Sequence, residues 1–472
     1  MIRFDRSGIR AGFGRDLVLD LLERGFVAID PKRTVSEALA RDGDGLRVGG
    51  SDFELSGRRV WTIALGKAAV PMAEAASELI GLASVGGIAV TRYGHGGSGS
   101  GFRVLEAGHP IPDENGVRAA EAIADFADGI GRDDLVLCLL SGGGSALLAA
   151  PPEGVSLEDL AETTRLLLRS GATIDEVNTV RRHLSTLQGG RLARRLHPAT
   201  VVSLVLSDVI GDALESVASG PTVPDPTGFD DAIGVLRRWR LWERLPTGVH
   251  DHLTRGAEDR LDDTPKPGDP VFRESVVEVI GNNATFLDAV ERSAREQGLG
   301  VLRVPEPLVG EARDVGRELG RRAADVADGR MDRTLLVAGG ETTVTVRGGG
   351  RGGRNQELAL AAALMLDDVE GVCVAALATD GSDGVTEAAG GIVDGATIGL
   401  ARWAGIEPGE ALADNDSHPV LAASRDLLFT GPTRTNVADV CVALIAPTSR
   451  ALQDDPLPTS DPELPHDHRG EQ

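Results

Sequence analysis

A lysine set directly behind an apolar run and a glycine is the first place in this chain where spacing implies chemistry. Val60–Leu65 (VWTIAL) runs into Gly66-Lys67-Ala68, Leu135–Leu140 (LVLCLL) runs into Ser141-Gly142-Gly143-Gly144-Ser145, and helix-type sequence follows each. A strand that ends in glycines and feeds a helix presents unspent backbone N–H groups at the helix start, where they attract an anion. Two such turns predict a phosphate-handling cleft, with the Lys67 ammonium as a fixed charge beside it. Gly66-Lys67 is not a Walker A loop, because the first glycine of that pattern is missing and Ala68 replaces its hydroxyl. Ser141–Ser145 offers a nest of backbone donors flanked by hydroxyls. A serine nucleophile is the rival reading, but G-x-S-x-G with a helix after the serine is absent.

Carboxylates supply the other half of the chemistry. Asp208 and Asp212, in SDVIGD, follow the apolar run Val201–Leu206. Acids at the C-terminal end of a strand, where α/β sheets place ligands, suit metal binding or deprotonation of an alcohol. Asp380 and Asp383, in TDGSDG, end the run Val372–Ala378 and suit a divalent ion bridging nucleotide phosphates, without EF-hand spacing. Arg347–Glu357 (RGGGRGGRNQE) places Gly348, Gly350 and Gly353 at G-x-G-x-x-G spacing. No strand ending in an acid follows about twenty residues later, so this run is weak evidence for a dinucleotide. Arg351 and Arg354 instead suit carboxylate or phosphate recognition. Gly339-Gly340-Glu341-Thr342 is a further glycine turn after a strand-like run.

Strand-like and helix-like segments alternate along most of the chain, which predicts α/β architecture with largely parallel sheets. In the first half the expected strands are Val60–Leu65, Gly87–Thr91, Phe102–Glu106, Leu135–Leu140 and Val201–Ser207, with helices over Ala68–Ile80, Gly116–Asp128, Ser156–Ser170 and Gly189–Leu196. Arg255–Pro270 is charged and proline-broken and reads as a surface loop or linker. Beyond it the pattern predicts strands at Val276–Ile280 and Leu302–Val304 around a helix at Ala284–Glu296. A second unit, with strands at Thr334–Ala338, Thr343–Arg347, Val372–Thr379 and Val440–Ala446 and a helix at Asn355–Leu366, divides the chain into residues 1–330 and 331–447. Residues 448–472 read as an acidic disordered tail, with His466 and His468 solvated rather than ligating.

With 472 residues the chain can bury more than one core, and its formal charge of −24 argues against nucleic acid as a partner. Lysine occurs only at Lys32, Lys67 and Lys266, and every other base is arginine. Acid excess with almost no lysine is a composition suited to high salt, where dense carboxylates hold a hydrated surface. In such a chain a lysine behind a strand and a glycine reads as a need for a compact ammonium. Cys138, Cys373 and Cys441 lie in apolar runs and read as buried thiols of a reducing cytoplasm. Neither a membrane span nor a signal peptide is expected.

The residues also resemble a known family, the class II glycerate 2-kinases, whose C-terminal region is the MOFRL domain. The resemblance covers about Arg10 to Ala446. It is carried by ALGKAAVPM (Ala64–Met72), GHPIPDENG (Gly108–Gly116), LLSGGGSALL (Leu139–Leu148), VNTVRRHLSTLQGGRLA (Val177–Ala193), LSDVIGD (Leu206–Asp212), SGPTVPD (Ser219–Asp225), GGETTV (Gly339–Val344), GRNQE (Gly353–Glu357) and ATDGSDG (Ala378–Gly384). It implies a larger Rossmann-like N-terminal domain, a smaller α/β MOFRL domain and an active site in the cleft between them. It further implies ATP-dependent, magnesium-assisted phosphorylation of D-glycerate to 2-phosphoglycerate by a cytoplasmic monomer or homodimer. Lys67, Asp208 and Arg354 are then the catalytic candidates. Ser141, Gly142, Gly143, Gly144, Ser145, Arg181, Glu341 and Asn355 are substrate and phosphate binders, and Asp212, Asp380 and Asp383 are magnesium ligands. The alternatives are an NAD(P)H-dependent hydroxypyruvate reductase and a non-enzymatic nucleotide- or sugar-acid-binding protein.

Overall fold

Strands β1 (Val60–Leu65), β2 (Ser84–Arg92), β3 (Arg103–Ala107), β4 (Leu135–Ser141), β5 (Thr200–Leu206) and β6 (Ser275–Gly281) form one six-stranded sheet, parallel throughout. In the computed structural model, which describes residues 2–447 except 98, 100, 330 and 331, their order is β3-β2-β1-β4-β5-β6. The expected tail, with its two histidines, lies outside the described residues. Every residue of β4 and of β5 is buried, which is why both read as unbroken apolar runs. The chain leaves β1 toward one edge of the sheet and β4 toward the other. The crevice outside their carboxyl ends is therefore the switch point at which doubly wound sheets bind ligands.

The second six-stranded sheet has the order β7-β8-β12-β9-β10-β11, from β7 (Gly300–Arg303), β8 (Thr334–Gly340), β9 (Val372–Ala378), β10 (Gly390–Asp394), β11 (Leu427–Leu428) and β12 (Asp439–Ile445). Only β7 and β8 pair in parallel, so the parallel expectation holds for the first sheet alone. Because β7 belongs here, this sheet begins ahead of the division expected at residue 331. Thr343–Arg347 is not a strand; its alternating pattern yields a single bridge between Thr343 and Glu311. Residues 258–269 form the expected loop, but Thr264 within it is buried and the segment is packed rather than free.

The two sheets are not merely tethered. Phe26, Leu137, Leu204, Phe286, Leu335 and Leu444 belong to one buried apolar cluster that spans both. Helix α1 (Arg15–Ala28) closes it from the N-terminus: Arg15 reaches Asp394 and Asp426 of the second unit, each at 2.9 Å, and Arg10 reaches Asp426 at 3.0 Å. Burying these charges costs least as pairs, and their match fastens the N-terminal segment to the second sheet. All three cysteines are buried and unpaired. Among the described residues no helix is long and apolar enough to cross a membrane.

Candidate active site

The turns after β1 and β4 are stapled to each other, which fixes what each offers a ligand. Gly66 sits at φ +112, and a Cβ there would come within 2.2 Å of the Ser141 carbonyl. The Gly66 amide donates to Val90 O at 3.0 Å, that of Lys67 to Gly142 O at 2.9 Å and that of Ala68 to Ser141 Oγ at 3.0 Å. The first turn therefore has no spare donors, contrary to the expectation that both turns expose them; it contributes the ammonium. Ser141 is occupied as well, since its buried hydroxyl donates to Leu65 O at 3.2 Å. In the second turn the amides of Gly143, Gly144 and Ser145 find no acceptor among the described residues. They open the single-turn helix Gly144–Leu147 and form the nest that the sequence predicts.

Around this nest the crevice is lined with charge. Lys67 Nζ lies 2.6 Å from Asp380 Oδ2, so the two sheets meet in an ion pair at the site itself. Burial works against the Asp380 charge, but Lys67, then the Ser382 amide and Arg354, hold its carboxyl below the ordinary value. Asp208 presses on the nest so closely that a Cβ on Gly142 would fall 1.9 Å from its Oδ2. That oxygen accepts from Asn436 Nδ2 at 2.9 Å. Burial raises the Asp208 pKa to about 6, with Lys67 pulling it down and Glu341 pushing it up. His109 stands opposite: its Cδ2 and Nε2, and Lys67 Cε, lie 3.4 Å from the point a Gly143 Cβ would occupy. Enclosure by the crevice walls, then Lys67, Arg92 and Arg181, lower the His109 pKa to about 4, so its imidazole is neutral at pH 7. Sequence reasoning missed His109 as a site residue, although GHPIPDENG contained it, and Asn436 carried no local signal.

Ser145 and Arg181 form the far side. Ser145 Oγ lies 2.8 Å from Ser219 Oγ, which in turn is 3.1 Å from Asn178 Oδ1. Ala218 and Ser219 are held at φ +51 and +58, and the Ala218 Cβ leaves no room for a side chain at position 144. Adjacent left-handed non-glycine residues cost on the order of 1–3 kcal/mol each and cluster at functional sites. Arg181, in the last turn of helix Ile174–His183, makes no ion pair among the described residues.

Other candidates are engaged elsewhere. Arg354 is gripped by Asp439 (2.5 and 2.9 Å) and touches Glu341 at 2.8 Å. Burial opposes the guanidinium charge, but Asp439 outweighs it and keeps the pKa well above normal. Asp383 caps the helix Arg354–Met365, accepting from the amides of Asn355 (3.1 Å) and Gln356 (2.8 Å) and from the Gln356 side chain. The Asn355 side chain also faces Asp383. Asp212 accepts from Asn282 Nδ2 at 2.5 Å. Asp212, Asp380 and Asp383 thus have separate partners, and the described residues hold no group of three metal-binding side chains. The expected resident magnesium site does not fit this arrangement. The glycine run of residues 347–353 also turns inward. Five of its amides are taken, by Asn415 (from Arg347 and Gly348), Asp414 (from Gly349 and Gly350) and Asp416 (from Arg351), so that only Gly352 and Gly353 of the run lack an acceptor among the described residues.

Residues 17–254 match a family model described as a domain of unknown function (DUF4147), and residues 334–439 match the MOFRL family. The chain is 43% identical over 435 residues to a glycerate 2-kinase of Pyrococcus horikoshii, covering 91% of this chain and 97% of that protein. It is 40% identical over 392 residues to a protein of Agrobacterium vitis named as a putative hydroxypyruvate reductase, covering 82% and 87%. The solved structure of a glycerate kinase from Thermotoga maritima superposes with a TM-score of 0.78 at 41% identity, covering 91% of this chain and 99% of that one.

Proposed function

The chain belongs to the MOFRL-type glycerate kinase family, and we propose that it transfers the γ-phosphoryl group of ATP to the C2 hydroxyl of D-glycerate, giving 2-phosphoglycerate and ADP. The observation that carries this reading is the meeting of Lys67, the Gly143–Ser145 amides and Asp208 at the switch point. Phosphoryl transfer asks little covalent chemistry of a protein; it needs alignment of donor and alcohol, and neutralisation of charge on the equatorial oxygens. The nest amides and Lys67 supply that neutralisation, with the transferring group displacing Asp380 from the ammonium. Asp208, ionised above pH about 6 and oriented by Asn436, accepts the hydroxyl proton as the new O–P bond forms. The bond from the γ-phosphorus to the bridging oxygen breaks, and ADP leaves. Arg354, pinned by Asp439 and Glu341, acts through the field it sets on Asp380.

The reductase reading is weaker, because the glycine run at Gly348, Gly350 and Gly353 gives the amides of residues 347–351 to acceptors within the fold. A binding protein without turnover would have no use for a carboxylate held at the transfer point with a pKa near the working pH. Small-molecule substrates in a cytoplasm of high salt complete the reading, in keeping with the charge of −24. One assay tests it. The protein is given ATP, magnesium and D-glycerate in dilute buffer and in molar KCl, and the product is passed to enolase, which consumes the 2-phospho isomer alone. Phosphoenolpyruvate formation, faster in high KCl, is the expected result. A 3-phospho product would shift the transfer to C3. Oxidation of NADH with hydroxypyruvate, without ADP formation, would replace the kinase reading altogether.

A further inference from the structure

We propose that Arg181 is the carboxylate anchor of the acceptor subsite, so that the chain selects anionic hydroxy acids through a single unpaired guanidinium. The inference rests on the kinase reading and assigns one part of its site. The neighbouring residue sets the contrast. Arg182, next along the same helix, meets Asp225 at 3.0 Å, and its remaining donors go to Glu215 O, Thr179 and Thr227. Arg15, Arg313 and Arg354 each meet a carboxylate too, and Arg191 donates to the carbonyls of Arg182 and Asp262. Arg181 meets neither carboxylate nor carbonyl among the described residues. Arg181 is half-buried, and a guanidinium held at a pocket wall without the partners its neighbours have is free to pair with an anion that arrives from outside. In agreement, burial alone lowers the Arg181 pKa to about 10, with no acid nearby to oppose it.

The surroundings say which anion. Arg181 lines a narrow pocket with Ser145, Ala149, Leu184 and Ser185. One end of this pocket is Ser145, the last residue of the amide nest, and its walls are mostly aliphatic. A triphosphate would bring far more charge than one guanidinium and the hydroxyls of Ser145, Thr164 and Ser185 can satisfy. A single carboxylate matches the single cation. Guanidinium and carboxylate also match as planar forks, which a lysine would not reproduce. Held there, a 2-hydroxy acid presents the hydroxyl on the carbon next to its carboxylate to the nest and to Asp208.

The test uses the full-length protein and two acceptors, D-glycerate and its uncharged amide, D-glyceramide. Wild type is expected to prefer D-glycerate by about a hundredfold in kcat/KM, the factor a lost charged hydrogen bond gives. Arg181→Met should raise KM for D-glycerate at least about thirtyfold, leave KM for ATP within about twofold, and erase most of the preference over the amide. Arg181→Lys should recover part of both. Equal use of the two acceptors by wild type overturns the proposal without any variant, and so holds even if Arg181→Met does not fold. A rise in KM for ATP in place of that for D-glycerate also overturns it and moves the guanidinium to the nucleotide. Absence of ADP formation by wild type with D-glycerate is a different result, which sinks the kinase reading itself.

Discussion

Two glycine-rich turns, Ser141–Ser145 and Arg347–Gly353, have nearly the same composition and opposite chemistry. Both follow apolar segments and both lead into helices, yet the first keeps the amides of Gly143, Gly144 and Ser145 unspent while the second gives five in a row to Asn415, Asp414 and Asp416. The cause is where the rest of the chain goes. Behind β4 the sheet reverses direction and nothing fills the crevice, whereas the 347–353 run is overlaid by the loop before helix Ser417–Ala423. A backbone donor attracts a substrate only if the fold has not already supplied an acceptor.

The largest expected effect falls on the charge beside the unspent nest. Lys67→Met should lower kcat/KM for phosphoryl transfer at least about a thousandfold, since one fixed cation on a transferring phosphoryl group is worth that much. Steady-state kinetics with an enolase-coupled readout measure it; retention of more than a tenth of the activity would separate the ammonium from the reaction. Asp208→Asn should cost about a hundred- to a thousandfold and also alter the pH profile. The wild-type rate should fall as pH drops through about 6, where Asp208 takes up a proton, and the variant should lack that limb. Stability carries the opposite sign. A carboxyl whose folded pKa is raised to about 6 favours the fold below its ordinary pKa, and that contribution is lost as pH rises to about 6. Asp208→Asn should therefore melt no lower than wild type at pH 7 while being nearly inactive.

Much of this was legible in the residues, and the failures have physical causes. β4 and β5 are fully covered strands and β1 is covered except at Trp61, so their apolar runs and the glycine or aspartate following each were plain, and Lys67, the nest and Asp208 followed from them. Sequence spacing gave no access to acceptors far along the chain. The partners that occupy Asp383 come from a helix start 27 and 28 residues earlier, and those that occupy the 347–351 amides lie 64 to 68 residues later. Thr343–Arg347 alternated like a strand because one side faces Glu311 and the other solvent, with only one bridge to show for it. Asn436 reached the site from a loop with no apolar pattern to mark it.

The smallest expected effect sharpens the contrast from the spent side. Asn415 accepts from the amides of Arg347 (2.7 Å) and Gly348 (3.2 Å) and donates to the buried Glu357 carboxylate at 2.9 Å. Its φ of +57 is one that asparagine tolerates better than most residues. Asn415→Ala leaves two amides and a carboxylate oxygen short of partners and adds strain at a left-handed position. The cost should be about 2–4 kcal/mol, an order-of-magnitude sum of unmade buried hydrogen bonds. Thermal unfolding should shift down by several degrees, at about 2–4 °C per kcal/mol for domains of this size. KM for ATP and for D-glycerate should both stay within about twofold, because no donor freed in this turn faces the crevice. A changed KM for ATP at an unchanged melting temperature would mean that the two turns are alike after all, and that the nucleotide reaches the second sheet.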